Sequence, residues 1–229
     1  MSAISKNRKR KSFLLIGLLL LVLQAKAVDG YSYRVNLGAG FYNDTKNNIS
    51  VTSGFVGLDF GWRMNKNLNL YVGLSYWDAE QSTKWHGNGN EYDWEGSMAN
   101  LIITGSARFS TPELRLPHHE GLSLFIEPGI NIEPVPVGIV NIDEYPPYSK
   151  YSSSYNGTKV SFFYPSWRLS TGISYRFNNN LFIDLSYFIS NMDLLKIYRK
   201  MTVDGQYLNN YIPRKENLNA IRFTLGINL

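Results

Sequence analysis

The sequence of 229 residues contains no cysteine. This absence excludes a disulfide framework, a thiolate zinc site and a cysteine nucleophile. Histidine is almost as scarce, with three residues in the chain: His86, His118 and His119. His86 lies near Glu91 and Asp93 in sequence, so water activation is conceivable there, but a solvated surface histidine is the favoured interpretation. Adjacent His118 and His119 lack a third spaced ligand. We therefore predict no enzyme activity, no metal and no cofactor.

Acidic residues are absent from the first 27 positions, which hold six of the 23 lysines and arginines. The formal net charge of +5 depends on this segment. The remaining 202 residues carry 17 basic and 18 acidic side chains, a net charge of −1. Since no basic stripe remains after the first segment, we predict no nucleic-acid partner.

The first segment has the three parts of a secretory signal peptide. A basic stretch over 6–11 precedes the apolar run 13–23, and Ala25 and Ala27 place small residues at a cleavage site. The apolar run of 11 residues is too short to span a bilayer, which takes roughly 20, so an uncleaved anchor is the weaker alternative. We predict a leader over 1–27, cleaved after Ala27, and one domain over 28–229.

Beyond the leader, no apolar run is long enough for a spanning helix. Apolar and polar residues alternate instead, in eight runs: 31–42, 54–64, 68–77, 95–109, 122–133, 166–177, 181–190 and 218–229. In the second run, for example, Leu58 and Phe60 alternate with Gly57, Asp59 and Gly61. Alternation of period two is typical of β-strands. Eight strands of about ten residues, joined mostly as hairpins, predict an all-β, eight-stranded antiparallel up-and-down barrel.

Lysine is absent from all eight runs. Their polar face holds glycine, serine, asparagine and threonine with a few arginines and acids, whereas a soluble barrel exposes lysine and glutamate. Small residues mixed with pairable charges favour a narrow, filled lumen. The apolar face then contacts lipid, and closure removes the unpaired edges of the sheet. A soluble lipocalin-like calyx or a β-sandwich is the alternative.

The connections between the runs alternate in length. Long, polar loops are predicted over 43–53, 78–94, 134–165 and 191–217, and short turns over 65–67 and 178–180, with 110–121 as a longer exception. Because outer-membrane barrels have long extracellular loops and short periplasmic turns, both termini are predicted to lie in the periplasm. The spacing of Leu194, Ile197, Tyr198 and Met201 predicts a short helix over 193–201.

With these features the chain resembles the small outer-membrane β-barrels of Gram-negative bacteria, of the OmpX and OmpA-barrel kind within the porin-like superfamily. The resemblance covers the whole mature chain, and its most specific element is the final strand. Those families end in an alternating strand with a terminal aromatic residue, which resembles a signal for the barrel-assembly machinery. The corresponding residues here are Phe223, Leu225, Ile227 and Leu229, with leucine in the last place. The resemblance implies an outer-membrane location and contacts with outer-membrane lipid.

The lumen holds the organised charge of the predicted barrel. The inward-facing candidates are Arg34, Asp59, Arg63, Arg108, Glu127, Arg168, Arg176, Asp184 and Arg222. Counting from the turns places Arg34, Arg63, Arg108 and Arg176 nearer the periplasmic end and the others nearer mid-height. Since an eight-stranded barrel is just wide enough for side chains to fill it, we predict ion pairs between the acids and arginines. If the lumen is wet instead, the six arginines and three acids predict a weak preference for anions.

The predicted outer loops are rich in aromatic residues, which are typical of adaptable binding surfaces. The candidate contacts are Trp85, Tyr92, Tyr145, Tyr148, Tyr151 and Tyr155. An outer aromatic girdle or a solvated loop is the alternative. The sequence therefore predicts a monomeric barrel with a structural or surface-interaction role, with an extracellular ligand or host surface as possible partner. A small porin-like channel is the second hypothesis.

Overall fold

The structure is a computed structural model, and the residues that it describes form thirteen β-strands. It describes residues 30–44, 49–87, 90–116, 119–134, 137–145, 153–160, 164–177, 180–194, 202–203, 206–207 and 217–229. The predicted leader, 1–27, lies outside the described residues. In the described part of the chain, no helix is long and apolar enough to cross a membrane.

The strands follow one another along the chain in a simple order. They are β1 (Tyr31–Asp44), β2 (Ile49–Asn65), β3 (Leu68–Gly87), β4 (Asn90–Ser110), β5 (Leu114–Leu116), β6 (His119–Glu133), β7 (Val137–Tyr145), β8 (Ser153–Val160), β9 (Tyr164–Arg176), β10 (Leu181–Ser190), β11 (Thr202–Val203), β12 (Gln206–Tyr207) and β13 (Leu218–Asn228).

Eight of these strands form a closed antiparallel barrel in the order β1, β2, β3, β4, β6, β9, β10 and β13. The last strand pairs with the first, from Ser32 opposite Asn228 to Phe41 opposite Asn219, and so closes the barrel. Each of the eight alternating runs corresponds to one barrel strand, so the predicted fold class is confirmed. The ends of the barrel chain meet at the turn end, where Gly30 N donates to Leu229 O.

Burial alternates along the barrel strands, as the period of two requires. In β13, Ala220, Arg222 and Thr224 are buried, while Ile221 and Phe223 between them are about half exposed. Buried positions carry the polar face, and exposed positions carry the apolar face. Ile102, the one apolar residue on the polar face of the fourth run, is completely buried. The barrel is therefore polar inside and apolar outside, as predicted.

Two predicted outer loops are mostly strand. The ladder between β3 and β4 continues to Gly87 opposite Asn90, so most of the predicted loop 78–94 pairs in a hairpin. Likewise, β1 and β2 pair as far as Asp44 opposite Ile49, within the predicted loop 43–53. Lys84, which lies in the predicted loop 78–94, therefore belongs to the extended β3. A paired backbone needs no apolar face once it has left the membrane, so these polar extensions lack the alternation that marks the barrel.

The predicted third loop, 134–165, contains a hairpin of β7 and β8. The second half of β4 pairs with β6 and its first half with β7, so β6 and β7 lie end to end along one strand. The sequence between them contains Pro134 and Pro136. Proline has no backbone N–H and interrupts a ladder, which explains why the strand is broken there.

The described parts of the remaining connections include two short ladders. In 110–121, the three-residue β5 pairs with β6. In the predicted fourth loop, 191–217, β11 and β12 form a two-residue ladder. A helix was predicted over 193–201. Its first two residues, Asp193 and Leu194, are not helical, and residues 195–201 lie outside the described part of the chain.

Candidate functional site: the barrel lumen

An arginine on β1 anchors the charged centre of the lumen. Arg34 lies directly opposite Asp59 in the ladder between β1 and β2. Its Nη2 is 2.6 Å from Asp59 Oδ2, and its Nη1 is 2.7 Å from Glu127 Oε2 on the facing side of the barrel. The Arg34 side chain is completely buried, and its guanidinium lies 3.4 Å from the centre of the Tyr71 ring. One fork thus joins two carboxylates across the lumen, as the planar guanidinium allows.

Glu127, on β6, holds the network together. Besides Arg34, it contacts Arg168 Nη2 at 3.2 Å and Arg222 Nη1 at 3.3 Å, and Ser106 Oγ donates to it at 3.0 Å. Its side chain is completely buried. These contacts reach β1, β4, β9 and β13, so a single carboxylate ties together strands from all around the barrel.

A second ion pair lies beside this network. Arg108 donates from Nη1 to Asp184 Oδ2 at 2.5 Å and from Nη2 to Oδ1 at 3.2 Å, a bidentate arrangement. The Arg108 guanidinium lies 3.8 Å from the centre of the Phe125 ring. Glycines leave room for the charged side chains of both groups. At Gly73, for example, a Cβ atom would collide with Asp59 Oδ1. We refer to Arg34, Asp59, Arg108, Glu127, Arg168, Asp184 and Arg222 as the central network.

An aromatic cluster lies on the loop side of the central network. Phe55 stacks on Trp77 with ring centres 4.2 Å apart, and Phe188 meets both rings edge-on at 5.9 and 6.1 Å. Each of the three lies on the polar, inward face of its strand. None of them is among the predicted site residues. Their inward position follows from the period of two, because residues two positions apart share a face of the strand. Phe55, for example, precedes the inward-facing Gly57 by two positions.

Residues after β10 complete this apolar layer. Met192 and Leu194 are 1% and 0% exposed, although they belong to the predicted fourth outer loop. Hydrogen bonds to β9 hold the chain there: Trp167 N donates to Asn191 Oδ1 at 2.7 Å, and Ser190 Oγ donates to Trp167 O at 2.7 Å. We define the apolar layer as Phe55, Trp77, Ile102, Phe188, Met192, Leu194 and Leu218.

The opposite, turn end of the lumen contains a cavity of about 700 Å³, which we call the vestibule. Residues from the turns and strand ends line it: Arg63, Asn65, Lys66, Asn67, Asn69, Tyr71, Arg108, Ser110, Thr111, Pro112, Glu113, Ser123, Ser174, Arg176, Phe182 and Asn228. The lumen is therefore asymmetric, with an apolar layer towards the loops and a polar cavity at the turns.

Four arginines were predicted nearer the periplasmic end, and two of them, Arg63 and Arg176, line the vestibule at that end. Arg34 and Arg108, expected near the periplasmic end, bind the acids of the central network instead. Arg63 is exposed at the vestibule and, among the described residues, makes no ion pair. Arg176 pairs at 2.7 Å with Glu113, a residue that the sequence analysis assigned to a turn and did not select. Counting from the turns misjudged Arg34, which lies directly opposite Asp59 in the ladder, and Arg108, whose long side chain reaches Asp184 across the lumen.

The candidate surface aromatics lie in strands rather than loops where the structure describes them. Trp85 on β3 is opposite Tyr92 on β4, Tyr145 belongs to β7 and Tyr155 to β8. Tyr148 and Tyr151 lie outside the described residues.

The other candidates lie on strands as well. Of the possible assembly-signal residues, Phe223, Leu225 and Ile227 lie on β13, and Leu229 directly follows it. His86 belongs to β3 and His119 begins β6, while His118 is outside the described residues. The described part of the chain holds no group of three histidines and acids that is placed to bind a metal ion.

The match to a protein family agrees with this architecture. A family model, the outer membrane protein beta-barrel domain, matches residues 13–227. Among solved structures, CarO of Acinetobacter baumannii is 14% identical with a TM-score of 0.47, covering 90% of this chain and all of CarO. Neisserial surface protein A is 11% identical with a TM-score of 0.41, covering 89% of this chain and all of that one. The N-terminal barrel domain of Pseudomonas aeruginosa OprF is 14% identical with a TM-score of 0.36, covering 86% and 97%. No curated protein matches the chain.

Proposed function

The chain belongs to the outer membrane protein β-barrel domain family, and on this premise we propose that it is a closed barrel with a structural or surface-interaction role. The predicted resemblance to this family is confirmed by the match over residues 13–227. The observation that carries the proposal is the central network, in which the side chains of Arg34, Glu127 and Asp184 are completely buried. Buried charges persist when they are paired and hydrogen-bonded, and such pairs occupy space that a pore needs.

Two barriers of different chemistry support a closed lumen. The central network immobilises its guanidinium groups on carboxylates, so these groups are not available to a passing ion. The side chains of the apolar layer are uncharged and would not replace the hydration of an ion. The buried Glu133, which accepts a hydrogen bond from Asn100 opposite Trp77, lies on the wall beside this layer. A channel would need to open both barriers, whereas a structural barrel is stabilised by both.

The extended hairpins support a role outside the membrane. The β3 strand has 20 residues, a length of about 65 Å. The apolar band of an outer-membrane barrel is about 25 Å tall, so much of this hairpin extends beyond it. The short turns and the termini are at the other end, and we assign that end to the periplasm. An extracellular ligand or host surface is the partner that such hairpins would contact.

The remaining parts of the proposal concern export and assembly. The leader over 1–27 would be cleaved after Ala27, and the assembly machinery would insert the barrel as a monomer among outer-membrane lipids. Phe223, Leu225, Ile227 and Leu229 form the end of β13 that the machinery would recognise. No enzymatic activity is proposed, since the charges of the central network are engaged with one another.

Residues Asn88 and Gly89 connect β3 to β4 at the proposed extracellular end. An epitope inserted between them should therefore be detected by antibody on intact cells. The matched insertion after Asn67, in the turn between β2 and β3, should be detected only after the outer membrane is permeabilised. Whole-cell immunofluorescence of the two variants makes the measurement. Staining of the Asn67 insertion on intact cells, without staining of the other, would reverse the proposed orientation.

The full mature chain should give no stable conductance steps in a planar lipid bilayer. A triple variant with Arg34→Ser, Glu127→Ser and Phe188→Ala should produce conductance steps. It removes large side chains from both the central network and the apolar layer and leaves the net charge of the network unchanged. Glu113→Ser with Arg176→Ser removes an ion pair at the vestibule only and should remain silent. Stable channels in the unmodified protein would contradict the closed barrel and support the porin-like alternative.

A further inference from the structure

The charge of the vestibule is one-sided. Among the described residues, its lining includes four cationic side chains, Arg63, Lys66, Arg108 and Arg176, and a single acid, Glu113. Arg108 is engaged by Asp184 and Arg176 by Glu113. Arg63 and Lys66 form no ion pair with any residue that the structure describes. Two positive charges at this end therefore lack an acidic partner in the part of the chain that the structure describes.

Hydrogen-bond donors surround these charges. Among the described residues, the buried Nε of Arg176 has no hydrogen-bond partner, although its Nη2 is bound to Glu113. Neutral side chains that can donate complete the lining: Asn65, Asn67, Asn69, Ser110, Thr111, Ser123, Ser174 and Asn228. These amides and hydroxyls can donate to an acceptor-rich ligand, in addition to the cationic groups of Arg63, Lys66 and Arg176.

The inner wall of the vestibule shapes its electrostatics. Tyr71, Phe182 and the Arg108–Asp184 pair line its deep side, where the central network begins. A cleft with charges of one sign and walls of low dielectric concentrates the field and attracts the opposite ion. The volume of about 700 Å³ is within the usual range for small-molecule sites, roughly 300–1,000 Å³.

We propose that the vestibule is a binding site for a compact, soluble oxyanion that carries at least two negative charges and enters from the turn end. Two charges match Arg63 and Lys66, and arginine forks bind phosphate and carboxylate oxygens in pairs. In the assigned orientation the ligand comes from the periplasm. Binding there goes beyond the proposed function and does not require the lumen to be closed.

Glu113 acts as an internal competitor for this ligand. Its carboxylate occupies Arg176 at 2.7 Å, with both side chains partly exposed. A ligand oxygen can replace that carboxylate without uncovering a deeply buried charge. Removing the charge at position 113 should therefore strengthen anion binding. If anions bound to a nonspecific cationic surface instead, removing any other acidic residue would have the same effect.

Isothermal titration calorimetry of pyrophosphate into the full mature chain, refolded in maltoside micelles at low salt, tests this site. The double variant Arg63→Gln and Lys66→Gln should bind about tenfold more weakly, since it loses both unpaired charges. Glu113→Gln should bind severalfold more tightly. The matched control removes two lysines from the hairpins at the other end, Lys84→Gln with Lys159→Gln, and should leave affinity within about twofold of the unmodified protein.

The outcomes separate cleanly. Absence of binding at millimolar pyrophosphate, or equal weakening in the vestibule and hairpin double variants, would overturn the proposal. A parallel titration with citrate distinguishes the ligand sources: binding of both anions indicates a general oxyanion site, and binding of pyrophosphate alone indicates a phosphate site. Heat-modifiable migration on a gel checks that each variant is folded. Conductance in the bilayer experiment would leave this result unaffected, so the two proposals can fail separately.

Discussion

Replacing Glu127 by glutamine is expected to destabilise the folded barrel by about 3–5 kcal/mol, the usual cost of breaking a buried ion pair from one side. Glu127 is completely buried and binds Arg34, Arg168 and Arg222 at 2.7, 3.2 and 3.3 Å. Without its charge, Arg34 keeps Asp59, whereas Arg168 and Arg222 lose the one carboxylate that each contacts among the described residues. Glutamine keeps the volume of the side chain, so the loss measures charge rather than packing.

Equilibrium urea unfolding in lipid vesicles, followed by the gel mobility of unboiled samples, measures this effect. Glu113→Gln is the matched control, because it removes a carboxylate from a partly exposed pair whose worth is at most about 1 kcal/mol. Adding Arg222→Gln to Glu127→Gln should recover part of the stability by removing one unpaired charge. Equal stability losses in the two single variants would show that the central network does not hold the barrel together.

Phe188→Ala is expected to destabilise the barrel by about 3–5 kcal/mol through the cavity it leaves. The Phe188 side chain is 1% exposed and meets the rings of Phe55 and Trp77 edge-on. These neighbours are anchored on other strands and stack on each other, so they cannot collapse far into the space. The lost area and the lost ring contacts therefore both count against the variant.

The control for Phe188→Ala is Phe109→Ala, the same change on the outer face, where the side chain is 48% exposed. Lipid chains can fill the space left there, so we expect a clearly smaller loss in the same urea measurement. If Phe109→Ala proves as damaging as Phe188→Ala, the apolar layer contributes no more than a lipid-facing position. Restoring bulk with Phe188→Leu should recover more than half of the stability lost in Phe188→Ala.

The barrel was predictable because the membrane imposes a pattern on the sequence. Each strand that crosses lipid must be apolar on alternate residues, and this period of two identified all eight barrel strands. The pattern weakens where the hairpins leave the lipid, so the polar extension of β3 and β4 to Gly87 and Asn90 was assigned to a loop. The hairpin of β7 and β8 was missed for the same reason: water on both faces requires no alternation.

The sequence by itself determined which face of each strand is inside, and hence that arginines and acids share the lumen. Only the tertiary structure decided which charges meet. Arg34 and Glu127 are 93 residues apart, and their contact depends on the strand register, the closure between β1 and β13, and the reach of a long side chain. The composition of a strand face indicates whether its residues lie inside or outside the barrel. It does not indicate their height relative to residues on strands across the lumen. The apolar layer and the vestibule at the two ends follow from that same three-dimensional register.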